Sequence, residues 1–238
     1  MPVSAPPEHL LLIPGLLLDA DLWRAQTEAL GGRIPCRVPD VHQAFDSLPA
    51  MAAAILAEAP VRFALAGMSM GGVVAQEIMV QAPDRVSHLA LFNTTSRADS
   101  PAQREHRERL LRQSQHGRFT GISRHAFHQW VHPDHAHDAA LYEWIAAMTR
   151  AVGREVFVRQ QTAMLGRADY RATLGSIRCP ALVVGGADDT VTPPKLAEET
   201  ATAIPDARLL ILPRCGHLSP VERPEEVTAA LVQVLGIG

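Results

Sequence analysis

A serine flanked by glycines is the strongest chemical signal in the sequence. The stretch Gly67–Gly72 reads Gly-Met-Ser-Met-Gly-Gly, with Ser69 as its third residue. It follows a short apolar run that predicts a β-strand and precedes a segment that predicts a helix. On such a tight strand-to-helix turn a serine presents its hydroxyl group, and the glycines let the backbone and the helix pack closely. We therefore predict that Ser69 is a nucleophile; the alternative is a chance Gly-x-Ser-x-Gly sequence in a surface loop.

A serine hydroxyl needs a general base, and His217 is the best-placed histidine. It lies in the segment Leu212–Leu218, directly after the last predicted strand and before the last predicted helix. In a parallel sheet with helices on both faces, that loop and the Ser69 turn lie at the same carboxyl-terminal edge. Histidines between residues 97 and 173 are other candidates, but none of them follows a predicted strand. The alternative for His217 is an ordinary capping or surface histidine.

The base in turn needs an acid that orients its ring and stabilises the imidazolium. Asp188 and Asp189 both lie in the loop after the fifth predicted strand. Two neighbouring side chains on one loop cannot both point at His217, so one of them is structural. The spacing favours Asp189, and the order Ser69, Asp189, His217 is the order found with this kind of serine turn. Asp188 stays open as the alternative.

Alternating strands and helices are predicted to position these residues. Six short apolar runs predict strands at 9–13, 34–38, 61–66, 86–92, 181–185 and 207–212. Helix-length segments separate most of them, which is typical of parallel βαβ units. We predict an α/β fold with a sheet of about six parallel strands, helices on both faces and an inserted helical lid. Residues 1–96 and 174–238 would form the core, and residues 97–173, here called the insertion, would form the lid.

Composition excludes several other classes of protein. The chain has 238 residues, 47% of them hydrophobic, and a formal net charge of −3. It can therefore bury a large core, and it has no overall charge that would attract nucleic acid. The apolar run 10–18 is interrupted by Pro14 and Gly15 and has no basic segment before it, so we predict neither a signal peptide nor a membrane span. Three widely spaced cysteines without a disulfide or metal pattern favour a cytoplasmic location.

Taken together, these motifs resemble the α/β-hydrolase superfamily, in the branch of small cytosolic serine esterases, enol-lactonases and pimeloyl-carrier methyl ester esterases. In that branch the acid stands three residues after a glycine and four before a proline, as Asp189 does between Gly186 and Pro193. A Gly-His pair followed by Pro-Glu also matches, at 216–217 and 224–225. The resemblance covers nearly the whole chain outside the insertion. It implies an α/β-hydrolase fold and an enzyme without a cofactor or metal ion.

The resemblance also implies where a transition-state oxyanion would bind. Its two donors would be the backbone N–H groups of Met70 and Leu16, each worth about 3 kcal/mol. The loop after the first strand departs from the family pattern, because Pro14-Gly15 replaces the usual His-Gly. In this chain another residue must therefore make the contacts that the histidine makes in other members of the family. The segment before the first strand is also too short for the two extra strands that most relatives have.

Side chains near these loops predict an apolar substrate pocket. The candidates for its wall are Leu17, Trp144, Met148, Val191 and Leu218. Exclusion of water by such side chains would strengthen the stabilisation of an oxyanion. The alternative for the aromatic residues of the insertion is that they form its own small core.

Two polar patterns in the insertion have ordinary explanations. His125, His128 and His132 share one face of a predicted helix, as zinc ligands can. Aromatic and aliphatic residues between them favour packing instead, so we predict no metal site. The arginines between residues 104 and 112 alternate with glutamates, which is typical of a solvated helix. The alternative is a basic lid that receives an acidic carrier protein or an anionic substrate.

These features predict a serine hydrolase that cleaves a carboxylic ester, or a related acyl compound of small to medium size, through an acyl-serine intermediate. Ser69 at the turn excludes relatives of this fold that use a carboxylate nucleophile. Opening of a lactone or hydrolysis of a C–C bond with the same three residues is the alternative among enzymes. Outside enzymes, the alternative is a ligand sensor with little turnover. In each case the expected partner is a small-molecule acyl compound.

Overall fold

The computed structural model describes residues 6–116 and 118–238 and contains a six-stranded sheet. The strands follow the order β2-β1-β3-β4-β5-β6, and every neighbouring pair is parallel. Their bounds are Leu10–Ile13 (β1), Cys36–Arg37 (β2), Phe63–Met68 (β3), Val86–Phe92 (β4), Ala181–Gly186 (β5) and Arg208–Leu212 (β6). The predicted sheet of about six parallel strands is therefore confirmed.

Two strands differ in length or position from the prediction. β2 has two residues instead of five, because Pro35 and Pro39 flank it and a proline has no N–H to extend the ladder. β3 begins at Phe63 rather than Val61, since the carbonyl groups of Pro60 and Val61 accept hydrogen bonds from Arg85. Residues 6–9 form no strand before β1. Residues 1–5, to which the prediction of a short N-terminal segment also applied, lie outside the described ranges.

Helices cover both faces of the sheet. They are Arg24–Leu30 (α1), Leu48–Glu58 (α2), Met70–Gln81 (α3), Pro101–Ser114 (α4), Arg124–Trp130 (α5), Ala139–Leu165 (α6), Arg171–Leu174 (α7), Pro194–Ala203 (α8), Ser219–Glu222 (α9) and Pro224–Leu235 (α10). Successive residues of a strand point to opposite faces. Leu10 and Leu12 of β1 therefore join a core with α1 and α10, and Leu11 and Ile13 join a core with α2, α3 and α8. Burial on both faces explains the continuous apolar runs of the central strands.

Every strand or helix that the structure describes between β4 and β5 is a helix, and loops connect them. α4 begins with a capping box in which the side chains of Ser100 and Gln103 each bind the other's backbone N–H. α6 bends at Gly153, whose φ of 83° is readily adopted only by glycine. α7 ends at Leu174, one residue beyond the predicted limit of the insertion.

The two halves of α6 pack on different faces of the sheet. Ile145 and Met148, before the bend, lie in the core that contains α1 and α10. Ala163 and Met164, after the bend, lie in the core that contains α2 and α3. Through α6 the insertion therefore packs in both hydrophobic cores, one on each face of the sheet. Among the described residues, no helix is both long and apolar enough to cross a membrane.

Candidate active site

Ser69 occupies the sharp turn between β3 and α3. Its φ is 54°, a left-handed conformation that costs energy in any residue other than glycine. The turn is crowded: a Cβ atom on Gly67 would clash with the carbonyl of Gly71, and one on Gly71 would clash with the carbonyl of Ile13. The backbone N–H of Ser69 donates to the carbonyl of Phe92 over 2.9 Å. The hydroxyl of Ser69 is thus presented at the carboxyl-terminal edge of the sheet.

His217 lies against this serine, in the turn between β6 and α9. Its Nε2 is 2.9 Å from the Oγ of Ser69, and its Nδ1 is 2.8 Å from the Oδ2 of Asp189. An ionised carboxylate only accepts hydrogen bonds, so the ring proton belongs on Nδ1 and leaves Nε2 free to accept from Ser69. His217 is 4% exposed and Asp189 3%. The structure therefore brings together the three residues to which the sequence assigned the roles of nucleophile, base and acid.

Asp189 is held in its ionised form by a ring of donors. Besides His217, its carboxylate accepts from the N–H groups of Val191 and Thr192, the hydroxyl of Thr192 and the amide of Asn93. Burial alone would raise the pKa of Asp189, but the electrostatic interaction with His217, when its ring is protonated, and these hydrogen bonds outweigh it and lower the pKa below the usual value. Asp188 is half exposed and points away, with its carboxylate 3.6 Å from the ring of His132. Of the two adjacent aspartates, Asp189 contacts His217.

A second carboxylate fixes the turn that carries His217. The side chain of Glu222 accepts from the N–H groups of Gly216 and Leu218, on either side of the histidine. The N–H of His217 itself donates over 2.8 Å to the carbonyl of Trp130 at the end of α5. The histidine is therefore positioned from both the core and the insertion. Glu222 was not predicted from the sequence, although an acidic residue five positions after His217 could have indicated it.

A cavity of about 770 Å³ opens beside Ser69 and His217. Leu16, Leu17, Met70, Val191 and Leu218, all named from the sequence, lie in its wall. The insertion adds apolar and aromatic side chains, which are Leu110, Phe119, Ile122, Ala126, Trp130, Phe157 and Met164. The reacting groups thus face a largely apolar space between the sheet edge and the insertion.

Trp144 and Met148 were wrongly assigned to this pocket. Met148 is 2% exposed and packs in the core beside Ile145, and Trp144 packs against the same core with the guanidinium of Arg24 over its ring. Neither is among the described residues that line the cavity. Both lie before the bend at Gly153, and the face of α6 that carries them is directed at the core. The part of α6 after the bend supplies the cavity wall instead.

Comparison with known proteins identifies the family. A sequence profile described as "Alpha/beta hydrolase family" matches residues 10–230. The chain belongs to the α/β-hydrolase family. Among curated proteins it is 34% identical over 195 residues to the putative non-heme bromoperoxidase BpoC of Mycobacterium tuberculosis, a match spanning 74% of this chain and 68% of that protein. It is 26% identical over 230 residues to the pimeloyl-[acyl-carrier protein] methyl ester esterase of Nitrosomonas europaea, covering 91% of each.

Solved structures show the same relationship. A thermophilic esterase from Thermogutta terrifontis superposes with a TM-score of 0.88 at 28% identity, covering 98% of this chain and 91% of the esterase. A hydrolase from Pseudomonas aeruginosa superposes with a TM-score of 0.85, also at 28% identity, covering 97% and 90% of the two chains. The α/β-hydrolase fold inferred from the motifs is therefore confirmed.

In this α/β-hydrolase the loop after β1 lies directly beside the serine turn. A Cβ atom on Gly15 would be 3.5 Å from the Cβ of Ser69. The next loop residue, Leu16, borders the cavity, and Leu17 has a φ of 60°. The N–H of Leu17 donates over 2.8 Å to the side-chain oxygen of Gln160, a buried residue of α6. This contact ties the loop to the insertion, in a chain where Pro14 replaces the usual histidine.

The two N–H groups expected to stabilise an oxyanion remain predictions. Met70 is the first residue of α3, where a backbone N–H has no acceptor within the helix and the helix dipole favours negative charge. Leu16 borders the same cavity from the loop after β1. Both positions are compatible with donation to a negatively charged oxygen near Ser69.

Asn93 is a further member of the site that was not predicted from the sequence. It directly follows β4, has a φ of 44° and is 1% exposed. Its amide donates to the Oδ2 of Asp189 over 2.9 Å and to the carbonyl of Gly216 over 3.1 Å, and its oxygen accepts from Ser219. It thereby joins the acid loop to the histidine turn. An asparagine directly after a strand was a usable signal, because asparagine tolerates a left-handed backbone better than most residues.

Replacing Asn93 with alanine is expected to lower kcat by about ten to a hundredfold, with a smaller change in KM. A hydrogen bond to a charged group is worth about 1.5–3 kcal/mol, and here it orients the acid rather than the substrate. The measurement is steady-state hydrolysis of a nitrophenyl ester, beside a melting curve that reports stability. A change in KM alone would contradict this positioning role.

The histidines at 125, 128 and 132 do not form a metal centre. Within residues 6–116 and 118–238, no group of three or more histidine, cysteine, aspartate or glutamate side chains is placed to hold an ion. His132 instead caps a single helical turn, where its Nδ1 accepts from the N–H of Asp134. His125 is in the cavity wall.

Proposed function

We propose that this protein is a serine hydrolase that cleaves carboxylic esters of small to medium acyl groups. The observation that carries the proposal is the hydrogen-bonded series Asp189, His217 and Ser69, which ends in a largely apolar cavity. A serine oxygen next to the free nitrogen of a histidine, with that histidine held by a buried carboxylate, is the arrangement that activates a hydroxyl for acyl transfer.

The geometry supports a two-step reaction. Ser69 attacks the ester carbonyl while Nε2 of His217 takes its proton, and Asp189 stabilises the resulting imidazolium. The N–H groups of Met70 and Leu16 donate to the oxyanion of the tetrahedral intermediate. His217 then protonates the departing alcohol, and the ester becomes an acyl group on Ser69. A water molecule, activated by the same histidine, releases the carboxylic acid and restores the enzyme.

Two named relatives support an ester as the substrate. Two of the proteins compared above, from Thermogutta and Nitrosomonas, are described as esterases, and both match more than nine-tenths of this chain. The name of the second mentions an acyl carrier protein; for the present chain the cavity supports a small-molecule ester as the substrate. Lactone opening and C–C hydrolysis are outcomes that the same substrate tests can reveal.

We expect the specificity constant, kcat/KM, to rise with acyl length among neutral straight-chain nitrophenyl esters and to peak at about four to eight carbons. Each methylene buried in the apolar wall contributes about 0.8 kcal/mol, or about fourfold, until that part of the cavity is full. The measurement is a panel of esters that share one leaving group. A profile that is independent of acyl length would contradict an apolar acyl site.

A matched pair of variants locates that site. Ala126 of α5 lines the cavity, and its replacement with leucine is expected to move the optimum to shorter acyl chains. Ala140 of α6 is exposed and is not among the described residues of the cavity wall, so the same replacement there is expected to leave the profile unchanged.

The amount of product formed with excess ester tests the alternative that the protein is a ligand sensor. A sensor would stop after about one acyl event per protein molecule, whereas an esterase continues.

A further inference from the structure

One arginine of α4 lies in the wall of the cavity that contains Ser69. Arg107 is half-buried, with 18% of its side chain exposed. Its Nε donates to Asp99 over 2.7 Å and its Nη1 donates to the side-chain oxygen of Gln161 over 2.8 Å. A guanidinium group carries five N–H donors. These two contacts therefore fix its plane and leave donors, including those of Nη2, for a ligand.

The charge around Arg107 is not balanced. Asp99 accepts from Arg107 with one oxygen and from Arg167 with the other, the second contact spanning 2.6 Å. The side chains of Asp99 and Arg167 are each 3% exposed. One negative charge thus faces two positive charges in a place that water screens poorly. The cluster carries an excess of one positive charge beside the cavity, which favours binding of an anion.

Neutral donors accompany this charge. His106, also in the cavity wall, lies with its Nδ1 2.7 Å from Nη2 of Arg109. Arginine can only donate, so Nδ1 of His106 accepts and its ring proton lies on Nε2. Burial and the nearby arginines lower the pKa of His106, which agrees with a neutral ring. Gln161 is 3% exposed and borders the same space.

The other arginines of α4 behave as the solvated face that the sequence predicted. Arg104, Arg109 and Arg112 are exposed, and none of them is among the described residues of the cavity wall. Arg107 differs from them because its partners Asp99 and Gln161 hold it inward. An interpretation of the whole helix as a basic surface for a protein partner therefore does not explain Arg107.

We propose that Arg107, supported by Gln161 and His106, binds a carboxylate at the far end of the acyl group. The preferred substrates are then half-esters of dicarboxylic acids, in which the ester lies at Ser69 and the free carboxylate lies at Arg107. A guanidinium and a carboxylate match in shape and charge and can form two parallel hydrogen bonds. This inference rests on the proposed esterase activity and specifies its substrate.

The test compares two nitrophenyl esters of equal length, whose acyl chains of six or seven carbons end in a carboxylate or in a carboxamide. The two ends have nearly the same shape, so the ratio of their kcat/KM values isolates the charge. The wild-type ratio is expected to be about ten to a hundred in favour of the carboxylate, and to fall as salt is added. A wild-type ratio near one would overturn the proposal.

Three variants decide whether Arg107 is responsible. Arg107→Met removes the charge and is expected to reduce the ratio to about one; Asp99 keeps Arg167 as a partner in this variant. Arg107→Lys keeps the charge without the planar fork and is expected to give an intermediate ratio. Arg112→Met, the same change at an exposed site on the same helix, is expected to keep the wild-type ratio. A high ratio that survives in both Arg107 variants would place the anion site elsewhere and overturn the assignment.

The same data separate this inference from the proposed function. If the wild-type protein hydrolyses the carboxamide ester but shows no preference for the carboxylate, the esterase stands and the anion site fails. If it hydrolyses neither ester, the esterase proposal itself fails, and the anion site fails with it as a substrate subsite. If Arg107→Met does not fold, the wild-type ratio, its salt dependence and the lysine variant still give the answer.

Discussion

Replacing Ser69 with alanine is expected to lower kcat for nitrophenyl ester hydrolysis by a factor of about a thousand to a million. Without its nucleophile, a site of this type retains only substrate binding and oxyanion stabilisation, which is the residual effect seen when triad members are removed. The single-atom change leaves the surrounding glycines and the hydrogen bond from the backbone N–H of Ser69 in place. We therefore expect the melting temperature to stay close to that of the wild-type protein.

Two controls make this result specific to Ser69. Ser176 is exposed, is not among the described residues of the cavity wall, and its hydroxyl donates to the nearby carbonyl of Thr173, so Ser176→Ala is expected to keep full activity. A fluorophosphonate, which labels activated serines, should modify the wild-type protein at Ser69 and leave the alanine variant unlabelled. A Ser69→Ala variant that retained more than about a tenth of the wild-type rate would show that another group is the nucleophile.

Local patterns were sufficient to predict the sheet and the three central residues of the site. Ser69, Asp189 and His217 each come after the carboxyl end of a strand, and the carboxyl ends of parallel strands meet at one edge. This rule predicts that residues far apart in the sequence lie close together, and it requires no knowledge of side-chain contacts. Local patterns also agree with the starts of α8 and α10, whose first residues are Pro194 and Pro224, because proline is favoured at the first position of a helix.

The part of the pocket wall that the insertion supplies could not be predicted in the same way. Trp144 and Met148 have the helical spacing of a buried face, but spacing alone does not say whether that face meets the core or the substrate. The bend at Gly153 determines what each half of α6 contacts, because the two halves pack in different hydrophobic cores. A glycine within a helical pattern can be tolerated without any bend, so the sequence did not reveal this one.

Supporting contacts across long separations were also missed. Asn93 meets Asp189 and Gly216, which lie 96 and 123 residues further along the chain. Gln160 reaches the loop after β1 from a helix 143 residues away. The contacts of Asn93 and Gln160 follow from tertiary packing, which no local pattern encodes.

Replacing Asp189 with asparagine is expected to lower kcat by about ten thousandfold, whereas the same replacement of Asp188 should cost less than about threefold. The carboxylate of Asp189 accepts from Nδ1 of His217 and so keeps Nε2 free to take the proton of Ser69. An asparagine amide can donate to Nδ1 instead, which places the ring proton on Nε2, where it cannot act as a base toward the serine. Asp188 is a neighbouring, half-exposed control with the same change of charge.

Stability measured against pH provides a second, independent measure of the two aspartates. The pKa of Asp189 is lowered in the folded protein, so its ionised form stabilises the fold above the usual aspartate pKa, and this stabilisation is lost as the pH falls through the lowered value. The free energy of unfolding of Asp189→Asn should therefore lie below that of the wild-type protein at neutral pH, and the gap should narrow in acid. Asp188→Asn is the matched control variant, because Asp188 is half exposed. In the activity measurement, equal losses of kcat in the two variants, or a larger loss in Asp188→Asn, would show that Asp189 is not the acid that orients His217.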